Sequence, residues 1–227
     1  MIPDGWKKVP ISEFLIIKHG KSQKDVVITS GGFPILGSGG EIGRARKPLY
    51  EKESVLIGRK GTINKPVFIN EPFWTIDTLF YSEIKPKRAF PKWVFYEFCY
   101  RNWMEYNEAS GVPSLNAKTI SSIQTLLPPL PEQIKIADIL TSVDEAIQAT
   151  QKVIEQSEKV KQGLLQELLT KGIGHTEFKK TEFGEIPVEW EKMSLVNAHV
   201  LVIDGDRGKE YPKALQNKQV HHRPLLA

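Results

Sequence analysis

Short apolar runs broken by glycine and proline fill the first 130 residues. Ser54-Val55-Leu56-Ile57, Pro66-Val67-Phe68-Ile69 and Leu79-Phe80-Tyr81 set β-branched and aromatic residues between turn formers, and each reads as a strand. Lys92–Tyr100 is different. Trp93, Tyr96, Tyr100 and Trp103 recur at helical spacing rather than alternating, which predicts an aromatic helix laid on a sheet. Leu127-Pro128-Pro129-Leu130-Pro131 then makes a hard boundary. Pro131 suits the first helical position, because the N–H it lacks would have had no partner there. Glu132 follows at the positive end of the helix dipole.

Residues 132–171 contain no proline and one glycine, Gly163. Ile136, Leu140, Val143, Ile147, Ile154, Leu164 and Leu168 keep a helical period, and Thr150, Ser157 and Lys161 share their stripe. Lys171-Gly172 is a sound helix stop. At 1.5 Å per residue the helix is roughly 60 Å long. Such a helix needs a partner along its length. The stripe is therefore the expected association surface, for a second copy, another helix of the chain or another subunit. The fold class expected is α+β: a mixed α/β domain at 1–130, then one long coiled-coil-like α-helix at 131–171.

The segment 172–227 opens on a repeat. Ile2, Pro3, Trp6 and Lys8 return as Ile186, Pro187, Trp190 and Lys192, all at an offset of 184. Because Trp and Pro are scarce, a duplication is the better reading, and 172–227 is expected to be the start of a second, incomplete domain of the same kind. Trp6 and Trp190 are expected to be core anchors. Gln216–Arg223 shows neither strand nor helix period.

Composition adds little until charge is resolved by segment. The 227 residues are 40% hydrophobic and 26% charged, as in ordinary globular proteins. Residues 1–130 hold 18 Lys/Arg against 12 Asp/Glu, residues 131–171 hold 5 against 7, and residues 172–227 hold 8 against 8. The basic excess lies in the first domain, either as the footprint of a polyanion or as a slightly basic surface. Cys99 is the only cysteine, which excludes an internal disulfide. No apolar run reaches the roughly 18 residues of a membrane span, and residues 1–8 lack the apolar stretch of a signal peptide, so the expected location is the cytoplasm.

Several motifs together resemble the specificity subunit of type I restriction–modification systems. Gly37-Ser38-Gly39-Gly40-Glu41-Ile42-Gly43 followed by Ser54–Gly61 is similar to its recognition-domain core, and Pro72–Thr78 to the next stretch. Leu127–Gln133 with Ile136–Leu140 and Asp144 resembles the start of its long helix, and Ile203–Lys209 the opening of another recognition domain. The resemblance implies a non-catalytic target-recognition domain for double-stranded DNA, reading half of a two-part site. It also implies partners: methyltransferase subunits, a restriction (motor–nuclease) subunit, and self-association of two antiparallel helices. No membrane contact and no cofactor of the chain's own are expected. The alternative is a coiled-coil assembly protein without a DNA role.

On that resemblance, Arg44, Arg46 and Lys47 follow a glycine-rich loop and are candidate base readers, since Arg grips guanine with two bonds. Gly58-Arg59-Lys60-Gly61 is either a plain strand-end turn or one whose backbone N–H groups and cations meet phosphates. Lys21, Lys65 and the Ser110–Asn116 loop complete the candidate DNA surface. Catalytic motifs do not survive inspection. Gly58–Thr62 lacks the spacing of a nucleotide-phosphate loop. Leu127 precedes Pro128-Pro129 where an adenine methyltransferase carries Asn or Asp. Asp77 with Glu83-Ile84-Lys85 imitates a nuclease triple, but no acidic cluster surrounds it. His19, His175, His199, His221 and His222 form no metal-ligand set.

Overall fold

The computed structural model describes residues 3–195, 197–198 and 200. The Ile203–Lys209 motif, the Gln216–Arg223 stretch, His199, His221 and His222 lie outside the described residues. The strands are β1 (Lys7–Pro10), β2 (Leu15–His19), β3 (Val27–Ile28), β4 (Phe33–Gly37), β5 (Gly40–Ala45), β6 (Ser54–Gly58), β7 (Val67–Ile69), β8 (Trp74–Thr75), β9 (Leu79–Ile84), β10 (Gln124–Leu127), β11 (Phe178–Thr181) and β12 (Gly184–Pro187). The helices are α1 (Pro91–Tyr100), α2 (Ala117–Ser122) and α3 (Leu130–Lys171). Two compact units divide the chain, Met1–Val153 and Ile154–Ala227, so the division falls inside α3 rather than at the prolines.

Two four-stranded sheets build the first unit, in the orders β2-β9-β6-β7 and β3-β5-β4-β8, with β1 and β10 paired separately. The central strand β6 is buried at every position, which explains its continuous apolar run. Val55 and Ile57 face one core with Phe80, Trp93, Phe98 and Ala137, while Leu56 faces a second with Phe73, Leu79 and Tyr81. Pushed up mainly by burial and then by Glu83, the phenols of Tyr50 and Tyr81 stay neutral beside that second core. A third core of Val26, Ile35, Ala45 and Trp74 lies under the second sheet.

The aromatic helix is shorter than its spacing predicts. α1 ends at Tyr100, which is 92% exposed, and Arg101 turns extended. Asn102 then accepts a hydrogen bond from the Met104 N–H, starting a separate 3-10 turn that swings Trp103 back onto Phe98, ring centroids 4.9 Å apart. Trp103 is thus buried by a chain reversal and not by helical periodicity.

The root of α3 is fastened to the same unit. Gln133 is fully buried: its Oε1 accepts from the Phe90 N–H at 2.8 Å, and its Nε2 donates to the carbonyls of Pro128 at 2.9 Å and Arg88 at 3.1 Å. Tyr96 donates to Asp144 at 2.7 Å, and its oxygen lies 3.2 Å from the Thr141 hydroxyl. Burial, opposed by Thr141 and reinforced by Asp144, raises the Tyr96 pKa. Ile136, expected on the association stripe, packs instead against the domain's own core. Trp6 is half-buried rather than a core anchor, and its indole N–H donates to Glu132 at 3.0 Å.

In the second unit β11 and β12 form an antiparallel hairpin. Trp190, half-buried like Trp6, packs its ring on His175. Its N–H reaches the Pro187 carbonyl at 3.0 Å, and Trp6 N–H reaches the Pro3 carbonyl at 3.2 Å. The two copies of the repeat thus close the same turn.

Candidate nucleic-acid interface

Strand direction gathers four of the seven candidate cations. β2 and β6 both run antiparallel to β9, and β7 runs antiparallel to β6. The ends after His19 and Gly58 and those before Leu79 and Val67 therefore lie on one side of the sheet. Lys21, Arg59, Lys60 and Lys65 all sit within two residues of these ends. Lys21, Lys60 and Lys65 are exposed and Arg59 is partly exposed.

The turn Ile76–Leu79 is the hub of this edge. Gly20 N–H donates to the Leu79 carbonyl at 3.2 Å, Lys21 N–H to Thr75 at 2.8 Å, and Ser38 N–H to the Thr78 hydroxyl at 3.3 Å. Arg59 and Lys60 N–H groups both reach the Thr78 carbonyl, at 2.8 and 3.2 Å. A Cβ at Gly20 would lie 1.9 Å from the Ile76 carbonyl oxygen, and one at Gly58 2.0 Å from that of Thr62. Only glycine permits these approaches. The Ser110–Asn116 loop joins the same cluster, with Gly61 N–H on the Pro113 carbonyl at 2.9 Å and Leu115 N–H on that of Arg59 at 2.9 Å.

One expectation about the Gly58–Gly61 turn is corrected. Its backbone donors at Arg59, Lys60 and Gly61 are all engaged inside the chain. Phosphate contact through those N–H groups is excluded, and only the side chains remain available. The Arg59 guanidinium is itself oriented: Nη1 donates to the Asp77 carbonyl at 3.0 Å and lies 3.7 Å from its carboxylate. Reading along the sequence missed the Arg59–Asp77 pair and the Gln133 clamp, since each joins residues far apart in the chain.

Arg44, Arg46 and Lys47 do not join this cluster. Arg44 lies opposite Pro34, whereas the β4–β5 hairpin tip is at Gly37 and Gly40. Three strand residues separate them, about 10 Å at the usual rise. Arg44 Nε lies 3.0 Å from Glu41, so its charge is already partnered. Arg46 and Lys47 are exposed beyond the end of β5, with Arg46 N–H on the Val26 carbonyl at 2.8 Å.

A separate cleft of about 850 Å³ opens beside the root of α3, lined by Trp6, Trp93, Tyr96, Tyr100, Arg101 and Leu140 among others. Of its two acids, Glu97 and Glu105, the first is ion-paired with Arg101 and accepts a bond from Thr125 at 2.6 Å. No group of three or more His, Cys, Asp or Glu side chains able to hold a metal occurs among the described residues. No helix among them is long and apolar enough to cross a membrane.

Farther along α3 the stripe is open. Val143, Ile147, Ile154, Leu164 and Leu168 are exposed, and Leu140 is so at the mouth of the cleft. Val160, Leu164, Leu165, Leu168 and Leu169 make a continuous apolar face in the second unit.

Residues 3–159 match the family described as Type I restriction modification DNA specificity domain. The type I restriction enzyme MjaVIII specificity subunit of Methanocaldococcus jannaschii is 29% identical over 226 residues, spanning 92% of this chain and 52% of that protein. A putative type I restriction enzyme MjaX specificity subunit of the same organism is 36% identical over 132 residues, 57% of this chain and 31% of that protein. The chain thus spans about half the length of the first of these relatives. Among solved structures, a type I restriction–modification S subunit from M. genitalium superposes with a TM-score of 0.58 at 17% identity, covering 74% of this chain and 46% of that one. The HsdS subunit from Thermoanaerobacter tengcongensis gives 0.56 at 19%, covering 74% and 45%. At these identities the structural likeness concerns the fold.

Proposed function

The chain belongs to the type I restriction–modification DNA specificity family, and we propose that it is a non-catalytic, sequence-reading part of such a system, working on duplex DNA in the cytoplasm. The domain at 1–130 reads one half of a two-part site, and the helix at 131–171 carries it on a spacer that docks methyltransferase subunits. Residues 172–227 are the beginning of a second recognition domain. Methyl transfer and cleavage belong to partner methyltransferase and restriction subunits, and the chain needs no cofactor of its own.

One observation carries this reading: Lys21, Arg59, Lys60 and Lys65 stand at a single sheet end, on loops laced to one turn. Clustered cations on a rigid edge suit phosphates, which position a protein on DNA, while neighbouring loops read bases. Arg44, Arg46 and Lys47 form a second basic group from which base contacts could come. The exposed stripe from Val143 to Leu168 supports association through the helix, including pairing of two copies.

The test is binding of the purified chain, alone and with methyltransferase subunits, to duplex DNA over a range of salt, followed by selection from a randomised duplex library. Four phosphate contacts give a log–log salt slope of about −3.6. A salt-independent affinity, or a library that emerges unenriched, would sink the proposal. The purified chain alone is expected to transfer no methyl group.

A further inference from the structure

We propose that Asp77, an acid standing on a surface that meets a polyanion, is a positioning residue: it holds Arg59 in the orientation that grips a DNA phosphate. This rests on the DNA-reading function proposed above.

An acid at such a place is unexpected from charge alone. Asp77 is 74% exposed in a turn flanked by Lys21, Arg59 and Lys60, where its charge opposes an approaching phosphate. Its geometry gives the reason. The Arg59 Nη1 atom donates to the Asp77 carbonyl at 3.0 Å and faces Oδ2 at 3.7 Å. The main chain of Arg59 is held at both ends, by the Thr78 carbonyl at 2.8 Å and the Leu115 N–H at 2.9 Å. The guanidinium is therefore fixed from one side, and its Nε and Nη2 edge is left for a ligand. That edge is the side-on fork that matches two oxygens of a phosphate.

Lys21, Lys60 and Lys65 have no side-chain bond among the described residues, and Lys21 and Lys60 are tethered by their main chains, to the carbonyls of Thr75 and Thr78. They supply point charges, which tolerate motion. A fork must be aimed, and aiming it in advance removes the entropy of ordering a long side chain on binding. The Arg59–Asp77 pair adds little to fold stability, because an exposed ion pair in water is weak. Its role is in the bound state.

The two roles of Asp77 predict opposite signs. If its carboxylate acts only as a repulsive charge, D77A tightens DNA binding. If it aims Arg59, D77A weakens binding, by at most the about two- to tenfold that ordering one long side chain is worth, because the bond to the Asp77 carbonyl survives the substitution. The experiment measures the full chain on the duplex selected above, comparing D77A, D77N, R59A and the D77A/R59A double variant, each checked for an unchanged melting curve. D77A and D77N are expected to weaken binding. With Arg59 already removed, D77A is expected to leave affinity unchanged or raise it. Tighter binding by D77A in the parent, or an equal loss by D77A with and without Arg59, overturns the inference. Absence of salt-dependent binding by the parent overturns the DNA-reading function itself, and this proposal with it.

Discussion

The root of α3 and its distal turns carry the same side-chain pattern and meet different fates. At the root, Gln133 and Ala137 are fully buried, Ile136 packs into the domain core, and Tyr96 ties down Thr141 and Asp144. Beyond Val153, Ile154, Leu164, Leu168 and Leu169 stand exposed. An apolar period says that a helix face is to be covered. It does not say by what. At the root the chain covers itself, and farther out the face stands open among the described residues.

The sharpest way to break this comparison is to change Ile147 and Ile154 together to Asp. Two charges in a face that is buried only on association cost several kcal/mol there. Assembly through the helix, with a second copy or with methyltransferase subunits, is expected to be lost in sedimentation, while the melting of the recognition domain stays put. A domain that melts early in this variant would mean that the distal stripe is covered within the chain after all.

At the root the effects fall on stability instead. Gln133→Ala strips partners from the Phe90 N–H and from the carbonyls of Pro128 and Arg88 in a dry site. A loss of about 3 kcal/mol is expected in urea unfolding, at the upper end for unsatisfied buried groups. Ala137→Leu adds bulk where the helix touches the core and is expected to cost about 2 kcal/mol by overpacking. The smallest effect is Trp6→Phe, which keeps the ring but drops the bond to Glu132, for about 1 kcal/mol. If the Gln133 and Ala137 variants unfold like the parent, the root is no more fastened than the distal turns, and the contrast disappears.

Parts of this architecture are legible from local spacing, for physical reasons. The runs at 54–57, 66–69 and 79–81 became β6, β7 and the start of β9 because β-branched and aromatic residues between turn formers have few other packed solutions. The start and stop of α3 came within one residue of expectation, since proline and glycine act on the backbone directly. The repeat of Pro-x-x-Trp falls on a turn that both copies make, although its tryptophans, expected in the core, are only half-buried. The aromatic stretch misled because Trp103 has helical spacing but reaches its pocket through the Asn102 reversal. β4 and β5 were hidden by glycines, which weaken the strand signal that hairpin pairing later overrides.

By itself the sequence determined the runs that became β6, β7 and the start of β9, where the long helix runs, which of its faces is apolar, and that the first domain holds the basic excess. These are local or additive properties, fixed by backbone sterics, side-chain period and charge count. Only the tertiary structure decided that Lys21, Arg59, Lys60 and Lys65 share an edge, that Arg44 stands three register steps from the hairpin tip beside Glu41, and that Asp77 faces Arg59. Such neighbours are set by strand order and antiparallel register. Those follow from the cooperative packing of three cores, and no window of a few residues along the chain contains them.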